Sequence, residues 1–520
     1  MKYRESKLDQ DNRNWFQHDN SKQSLAAIDL HYGELRGLSP FYVSFKYPIT
    51  AIAGKNGSGK STLLGIAACG FHNSKTGFKL KYRKYTYYTF QDFFIQSVEE
   101  VPPQGISINY YIRHNNWKAS SNSPDKEGVK YQTRYKKKGG RWNDYSSRVR
   151  RDVIYLGIER VVPHSEKSVS KSYKNSFKKQ KVYGWEEKVK ESVGKILNKT
   201  YCTFEYAEYT KYRLPIVTSG SVTYSGFNMG AGENALFEIF SIIYSCSEGA
   251  LVVIDEIELG LHAEAQIKLI KELKRLCLQR KIQIICTTHS KHIFEELPMD
   301  ARVFIESVGG KTRILENISS EFAFGKLASV NSCELDVLVE DKTAFTLISA
   351  LLPGSLRNRV KVEIIGSASA LARQMASIRL RKDSRPFMVV FDGDQEKNKN
   401  VLKVVFMNAL EKFEEKAAEE DWFNSRVVFL PGEDWPEKWM LLESLKHCTE
   451  LSQALNSDID QLSDNIQTAL QSKKHSEFYE LGKLLNIAPE ILLDRFSVVL
   501  TQQGAESFIE ILNKIISALP

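Results

Sequence analysis

The sequence runs to 520 residues with 42% hydrophobic and 26% charged residues and a formal net charge of +9, a balance that fits about two to four folded domains of a soluble globular protein and argues against a disordered chain. No stretch approaches the roughly 18 continuous apolar residues of a membrane helix, and the opening MKYRESKLDQDNRNWFQHDN has no apolar leader core, so a cytoplasmic protein without a membrane partner is expected. Seven scattered cysteines form no C-x-x-C pair, and several sit in apolar runs such as IQIICTTHS; they read as buried thiols in a reducing compartment.

The first segment, LAAIDLHYGELRGLSPFYVSFKYPITAIAG, predicts short strands leading into a loop, and KSTLLGIAACGF predicts the helix after it. From about Leu80 to Gly220 the pattern is irregular, Tyr-rich and basic, which predicts an insertion, placed at about 105–215. Residues 121–200 hold 21 Lys/Arg against 9 Asp/Glu, whereas residues 331–520 hold 22 against 29. Within the basic stretch, Lys167 to Trp185 carries six lysines, no acid and interleaved aromatic rings. It reads either as solvated surface or as a contact for nucleic acid, where ammonium groups displace counterions and rings stack on bases. Regularity returns with GENALFEIFSIIYSC (helix), ALVVIDE (buried strand), AEAQIKLIKELKRLCLQ (helix, with Ile267, Ile270, Leu273 and Leu276 on one face) and IQIICTTHS (buried strand). That succession is the βαβ pattern of a parallel sheet. A second α/β unit begins near Ser332: ELDVLVE, VKVEIIG, RPFMVVFDGDQ and SRVVFLPGEDW are strands, the first two followed by the helical segments KTAFTLISALL and SALARQMASIRL, and beyond Leu445 the chain reads as amphipathic helices.

GKNGSGKST, Gly54 to Thr62, matches G-x-x-x-x-G-K-[ST] between a strand and a helix. In such a loop Gly54, Asn56, Gly57 and Gly59 let backbone N–H groups wrap phosphates, Lys60 reaches the β and γ oxygens, and Ser61, followed by Thr62, ligates Mg²⁺. VVIDEIE supplies the complementary acids: Asp255 at a strand end to hold magnesium and Glu256 to polarise the attacking water. His289, 33 residues after Glu256 at the end of the next strand, is a candidate γ-phosphate contact. NMGAGENAL resembles the signature motif of ABC-type ATPases, which implies that Gly230, Gly232 and Glu233 face ATP held by a second subunit and that ATP joins two heads. Gln91 in TFQDFF is the candidate Q-loop glutamine. DEIELGLHAEAQ is similar to the D-E-P-E-x-x-L-H-P stretch of RecF, SMC and OLD (overcoming lysogenization defect) proteins, with Ile257 and Ala263 in place of prolines. No coiled coil of SMC length is present.

FMVVFDGDQ ends a strand in Asp392 and Asp394, and Glu340 ends another strand 52 residues earlier. Carboxylates at such ends suit Mg²⁺ or Mn²⁺, which polarise a phosphodiester and activate water; a plain β-turn is the other reading of D-G-D. The order of parts resembles the TOPRIM fold, and an ABC-type ATPase followed by TOPRIM resembles the OLD nucleases across nearly the whole chain. The resemblance implies catalytic Glu340, Asp392 and Asp394, with Glu437 in LPGEDWPEKW as a fourth ligand ahead of Glu433 or Asp434, and Lys438 as one candidate for the family's lysine. Asp341 departs from the usual glycine, and Ala344 from a frequent acid.

The expectation is therefore an α/β protein: an ABC-type P-loop ATPase head (1–330) with a basic insertion, a TOPRIM-like nuclease domain (331–447) and a helical C-terminus (448–520). The resemblance implies ATP and Mg²⁺ as cofactors, nucleic acid as substrate with DNA ahead of RNA, and homodimers or larger assemblies formed through the ATPase heads. It extends to anti-phage effectors, including OLD proteins encoded beside retron reverse transcriptases, and so to a reverse transcriptase and its RNA–DNA hybrid as partners. The alternative is an ATP-gated nucleic-acid sensor or clamp that does not cut.

Overall fold

The computed structural model describes residues 3–100, 105–118, 125–137, 142–143, 147–167, 171–179, 182–327, 333–381, 385–410 and 415–519. The chain forms two compact units, Tyr3–Ala328 and Ser329–Pro520.

The first unit is built on a six-stranded sheet in the order Lys311–Glu316, Arg302–Val308, Ile49–Gly54, Gln283–Thr287, Leu251–Ile254, Val153–Leu156. Every pairing is parallel except that of the first two strands. The strands Ile49–Gly54, Gln283–Thr287 and Leu251–Ile254 are buried along their whole length, as apolar, β-branched runs covered on both faces must be. Helix Ala263–Arg280 buries Leu269, Ile270, Leu273, Leu276 and Cys277, while Ile267 lies at the edge of that face.

Two antiparallel sheets complete the unit. One orders Phe41–Ser44, Ser24–Tyr32, Ile106–His114 and Gly128–Lys136; the other orders Val222–Ser225, Tyr212–Ser219, Thr203–Tyr209 and Lys178–Lys179. The expected insertion at 105–215 is accordingly not one inserted body. Its first two strands extend the N-terminal sheet, and Val153–Leu156 pairs with Leu251–Ile254 at the edge of the central sheet. Alternation hid this: Ile106–His114 buries every second residue, leaving polar and tyrosine side chains between them, which reads as irregular when hydrophobicity is averaged. Of the lysine-rich run, Lys181 lies outside the described residues, and Trp185 is not free to stack on a base because it packs on Phe204 and Tyr206. Cys202 is exposed, whereas Cys69, Cys246, Cys277 and Cys286 are buried.

The second unit holds a four-stranded, all-parallel sheet ordered Val360–Ile364, Leu335–Val339, Phe387–Phe391, Val427–Phe429. Side chains alternate between two cores. Val337, Val339, Met388 and Val390 pack with Leu347, Leu451, Leu462 and Phe496; Leu338, Val389 and Phe391 pack with Leu371, Met375 and Phe406. The helices beyond residue 448 thus share a core with the sheet and cover one of its faces, because their amphipathic stripes have no other apolar surface to meet. Among the described residues no helix is long and apolar enough to cross a membrane.

Candidate functional site

The first site lies where three strands of the central sheet end. The loop after Ile49–Gly54 curls through Gly57 (φ +77°) and Gly59 (φ +94°), and Gly59 starts the helix Lys60–Ala68. Left-handed backbone at both positions favours glycine. Gly54 is required for a different reason: a Cβ there would stand 2.3 Å from the Ile305 carbonyl oxygen. Asn56 is exposed, Thr62 is half-buried, and Lys60 is buried. Its Nζ donates to the carbonyls of Gly54 (2.8 Å) and Lys55 (3.1 Å). Burial pulls the Lys60 pKa down, against the opposing pull of Glu256, Asp255 and Glu258. An ammonium enclosed by a curled loop with only carbonyls to bond fits a phosphate-bearing ligand.

The structure joins this loop to the acid pair. Ser61 Oγ donates to Asp255 Oδ2 at 3.0 Å, and Thr287 Oγ1 donates to Asp255 Oδ1 at 2.5 Å while accepting from Glu256 N at 2.7 Å. Glu256 stands at φ +48°, a strained pose for a side chain with a Cβ. Arg160 holds that turn, donating to the carbonyls of Asp255 (2.7 Å) and Glu256 (2.5 Å). His289 is exposed at the end of the neighbouring strand, its backbone N–H donating to Glu258 Oε1 at 2.5 Å. Thr287 and Arg160 are site residues that the motifs did not reveal, and Glu258 stood inside the DEIE stretch without a role assigned to it; Thr287, in CTTHS, carried a local signal, a hydroxyl at a buried strand end.

The signature segment is placed differently from expectation in part. Gly230 precedes helix Ala231–Ser245, and nothing stands within 4 Å of a Cβ built on it, so its face is open. Gly232 is needed for packing, since its Cβ would lie 2.1 Å from the Gly260 carbonyl oxygen. Glu233 is turned inward: it is buried and accepts from Tyr201 Oη, Tyr224 Oη (2.8 Å) and Lys199 Nζ (3.3 Å). That three-donor cage, not a nucleotide, occupies its carboxylate. Gln91 is exposed on the short helix Phe90–Phe93, whose Phe93 lies over Gly65.

Residues 158–294 match the AAA ATPase domain family. The chain carries an ATPase domain. The match includes Asp255, Glu256 and His289 but not the phosphate loop, which the central sheet and the Ser61–Asp255 bond bring to them. Similar solved structures include the SMC head domain from Thermotoga maritima (15% identity, 56% of this chain and 98% of that chain, TM-score 0.34). Another is the SmcHead bound to the C-winged helix domain of ScpA (16%, 58% and 99%, TM-score 0.36), and a third is the Smc head domain with an extended coiled coil bound to the C-terminal domain of ScpA derived from Pyrococcus furiosus (13%, 59% and 99%, TM-score 0.34). Scores at this level assign no fold, so the ATPase site rests on its own geometry and the family match. No curated protein matches the chain.

The second site lies in the other unit. Its sheet runs one way from Leu335–Val339 to Val360–Ile364 and then crosses to Phe387–Phe391 on the other side, so Glu340 and Asp392 follow the two strands at the switch point, where open α/β sheets take ligands. Glu340 Oε1 accepts from Asp392 N at 3.1 Å. Gly393 has no room for a Cβ, which would stand 2.3 Å from the Gly432 carbonyl oxygen; D-G-D is seated against the PGEDW loop and is not a free surface turn. Asp392 is buried, and its Oδ1 has no hydrogen-bond partner. Burial, then the charges of Glu340, Asp341, Asp394 and Glu437, push its carboxyl up to about 8. Burial also raises Glu340 and Asp341.

The remaining candidates have other partners. Asp341 accepts from Ala344 N at 2.9 Å and caps helix Lys342–Leu351. Glu437 accepts from Thr343 Oγ1 at 2.9 Å, and His475 Nδ1 stands 3.2 Å from its Oε2. Lys438 is drawn to Asp434 at 3.0 Å. The lysine near the acids is Lys474, 3.5 Å from Asp394 Oδ2, and neither it nor His475 carried a motif. Among the described residues no group of three or more His, Cys, Asp or Glu side chains stands together closely enough to hold a metal ion. The expected Glu340, Asp392, Asp394 and Glu437 set is therefore not drawn together as a ready-made cage: Asp394 faces Lys474, and Glu437 faces Thr343 and His475. Its chemistry still fits a hard cation: oxygen donors only, with one buried carboxylate oxygen lacking a partner.

Proposed function

We propose that this protein is an OLD-like, ATP-dependent and divalent-metal-dependent nuclease, with a TOPRIM-like second unit that cuts nucleic acid, DNA ahead of RNA. The observation that carries the reading is the meeting of Glu340 and Asp392 at the switch point of a parallel sheet, with the Asp392 carboxyl pushed up by burial and then by its acidic neighbours. In this reading Glu340, Asp392 and Asp394, with Glu437 as a fourth ligand, would hold Mg²⁺ or Mn²⁺, which supplies Lewis-acid polarisation of the phosphodiester when bound. Lys474 beside Asp394 offers a cation to the phosphate or leaving group.

In the ATPase unit Lys60 and the loop from Gly54 to Ser61 bind and orient the triphosphate, Ser61 and Asp255 face its magnesium, and Glu256 orients water. Gly230 offers its open helix start to the nucleotide of a second copy, so ATP joins two heads in a homodimer or larger assembly. The nuclease is then licensed by the state of the heads. As in the anti-phage proteins it resembles, such an enzyme acts in defence. A retron reverse transcriptase with its RNA–DNA hybrid is a partner of matching chemistry for the basic run from Lys167 to Lys181. Glutamine at those lysines is expected to weaken nucleic-acid binding and flatten its salt dependence; unchanged binding removes that docking role.

The deciding assay incubates the protein with plasmid DNA, and separately with RNA, in Mg²⁺ or Mn²⁺ with and without ATP. Cleavage is expected in the parent and lost in Glu340→Ala, Asp392→Ala and Asp394→Ala, each with ATP binding intact; cleavage that survives all three substitutions refutes the assignment. One observation favours a second reading, an ATP-gated sensor or clamp that does not cut: no three carboxylates stand together among the described residues. Nucleic-acid binding that depends on ATP, with no cleavage in either metal, selects it.

A further inference from the structure

Within the ATPase unit, beside the acid pair, lies a cavity of about 820 Å³ that neither the phosphate loop nor the acidic site uses. That volume suits a ligand of drug or dinucleotide size. Its lining carries six Lys/Arg (Lys79, Lys81, Arg160, Lys167, Lys211, Arg213) against three Glu (Glu159, Glu166, Glu238), a local excess of three positive charges. Lys81 and Arg213 are already held by Glu208, which leaves Lys79, Lys167 and Lys211, with Arg160, as the cations for an incoming anion. Tyr82, Tyr155, Tyr206 and Tyr212 supply aromatic wall. Exposed Lys79 and Lys211 beside a tyrosine-lined wall are the pairing that binds a phosphate and a base together.

The cavity also touches the machinery. Arg160 lines it and at the same time holds the carbonyls of Asp255 and Glu256, while its Nε is buried without a partner. Asn234, another lining residue on the signature helix, donates to the Arg160 carbonyl at 3.2 Å. Burial raises the Glu238 carboxyl and pulls His164 down to about 4, so the interior favours uncharged groups that can bond to a base edge.

We propose that this cavity is a regulatory site for a small nucleotide anion, a mono- or dinucleotide, whose phosphate draws on Arg160 and so loosens the turn that holds Glu256. The consequence is slower ATP hydrolysis. The inference rests on the ATPase domain and not on the nuclease reading, so it survives or fails separately.

The test uses the full chain. Glu256→Gln protein saturated with ATP, so that the phosphate loop is filled, is titrated calorimetrically with the dinucleotide pApA, with adenosine and inorganic phosphate as partial ligands. Binding of pApA that exceeds both fragments, and that Lys79→Glu with Lys211→Glu weakens by about tenfold or more, is expected. In the unsubstituted protein pApA should lower kcat for ATP by about fivefold, the scale of common coupling energies, while KM stays in place. No binding, binding indifferent to the two lysine changes, inhibition that excess ATP relieves, or binding with unchanged turnover each overturns the proposal. Melting temperature and basal ATP turnover of the lysine variants check that they fold; both lysines are exposed.

Discussion

Glu256 shows how much of the ATPase depends on one strained backbone. A left-handed pose at φ +48° persists because Arg160 and Thr287 fix the turn from both sides. Glu256→Gln keeps the shape and removes the base, so ATP should still bind while turnover falls about 10²-fold or more; Lys60→Ala should instead lose nucleotide binding itself, read by fluorescent ATP titration. Asp392 makes a pH prediction. Its native pKa of about 8 lies above the usual 3.8, so its contribution to stability is fully present below the lower value and is lost as pH rises towards 8, because the unfolded chain ionises first. The loss has an upper bound of several kcal/mol at about 1.4 kcal/mol per pH unit. In EDTA, Asp392→Asn is expected to raise the urea midpoint over the parent at pH 8, with the gap closing near pH 4; equal midpoints at both would mean that the carboxyl ionises freely. The sequence displayed Lys60, Asp255 and Asp392 because motifs name them, but the Glu233 cage and the positions of Lys474 and His475 depend on partners 9 to 80 residues away and have no local pattern.

Helix starts and loops separate glycines that look alike in sequence. Gly230 and Gly232 stand two apart in one motif, yet only Gly232 is pressed against another backbone, at the Gly260 carbonyl. Gly232→Ala should therefore destabilise the fold by about 1–3 kcal/mol through overpacking, whereas Gly230→Ala, with open space around its Cβ, should leave thermal unfolding unchanged. If Gly230 meets nucleotide across two heads, Gly230→Glu should abolish ATP-driven association in sedimentation while the monomer keeps its melting temperature. Strands with continuous apolar runs and helices with a 3.6-residue stripe were legible in advance. The strands Ile106–His114 and Gly128–Lys136 were not, since their exposed faces are rich in Tyr, Lys and Arg and dilute the signal.

The molecule as a whole is two α/β units whose candidate site residues share one kind of address, the carboxyl ends of parallel strands. If ATP joins two heads, Glu256→Gln with ATP should sediment as a dimer or larger species and return to its starting size on ATP removal; a species indifferent to nucleotide would exclude ATP as the joint. Local order supplied the phosphate loop, the acid pair, the D-G-D turn and the succession of strands and helices, because each is a short run whose chemistry or periodicity is complete within a few residues. Packing over long separations settled the rest: that Val153–Leu156 closes the central sheet, that the last helices wall the second core, that Glu233 faces inward, and that Asp394 and Glu437 meet Lys474 and His475. Those outcomes follow from burial and charge among residues far apart in the chain, and no short stretch of sequence contains both partners.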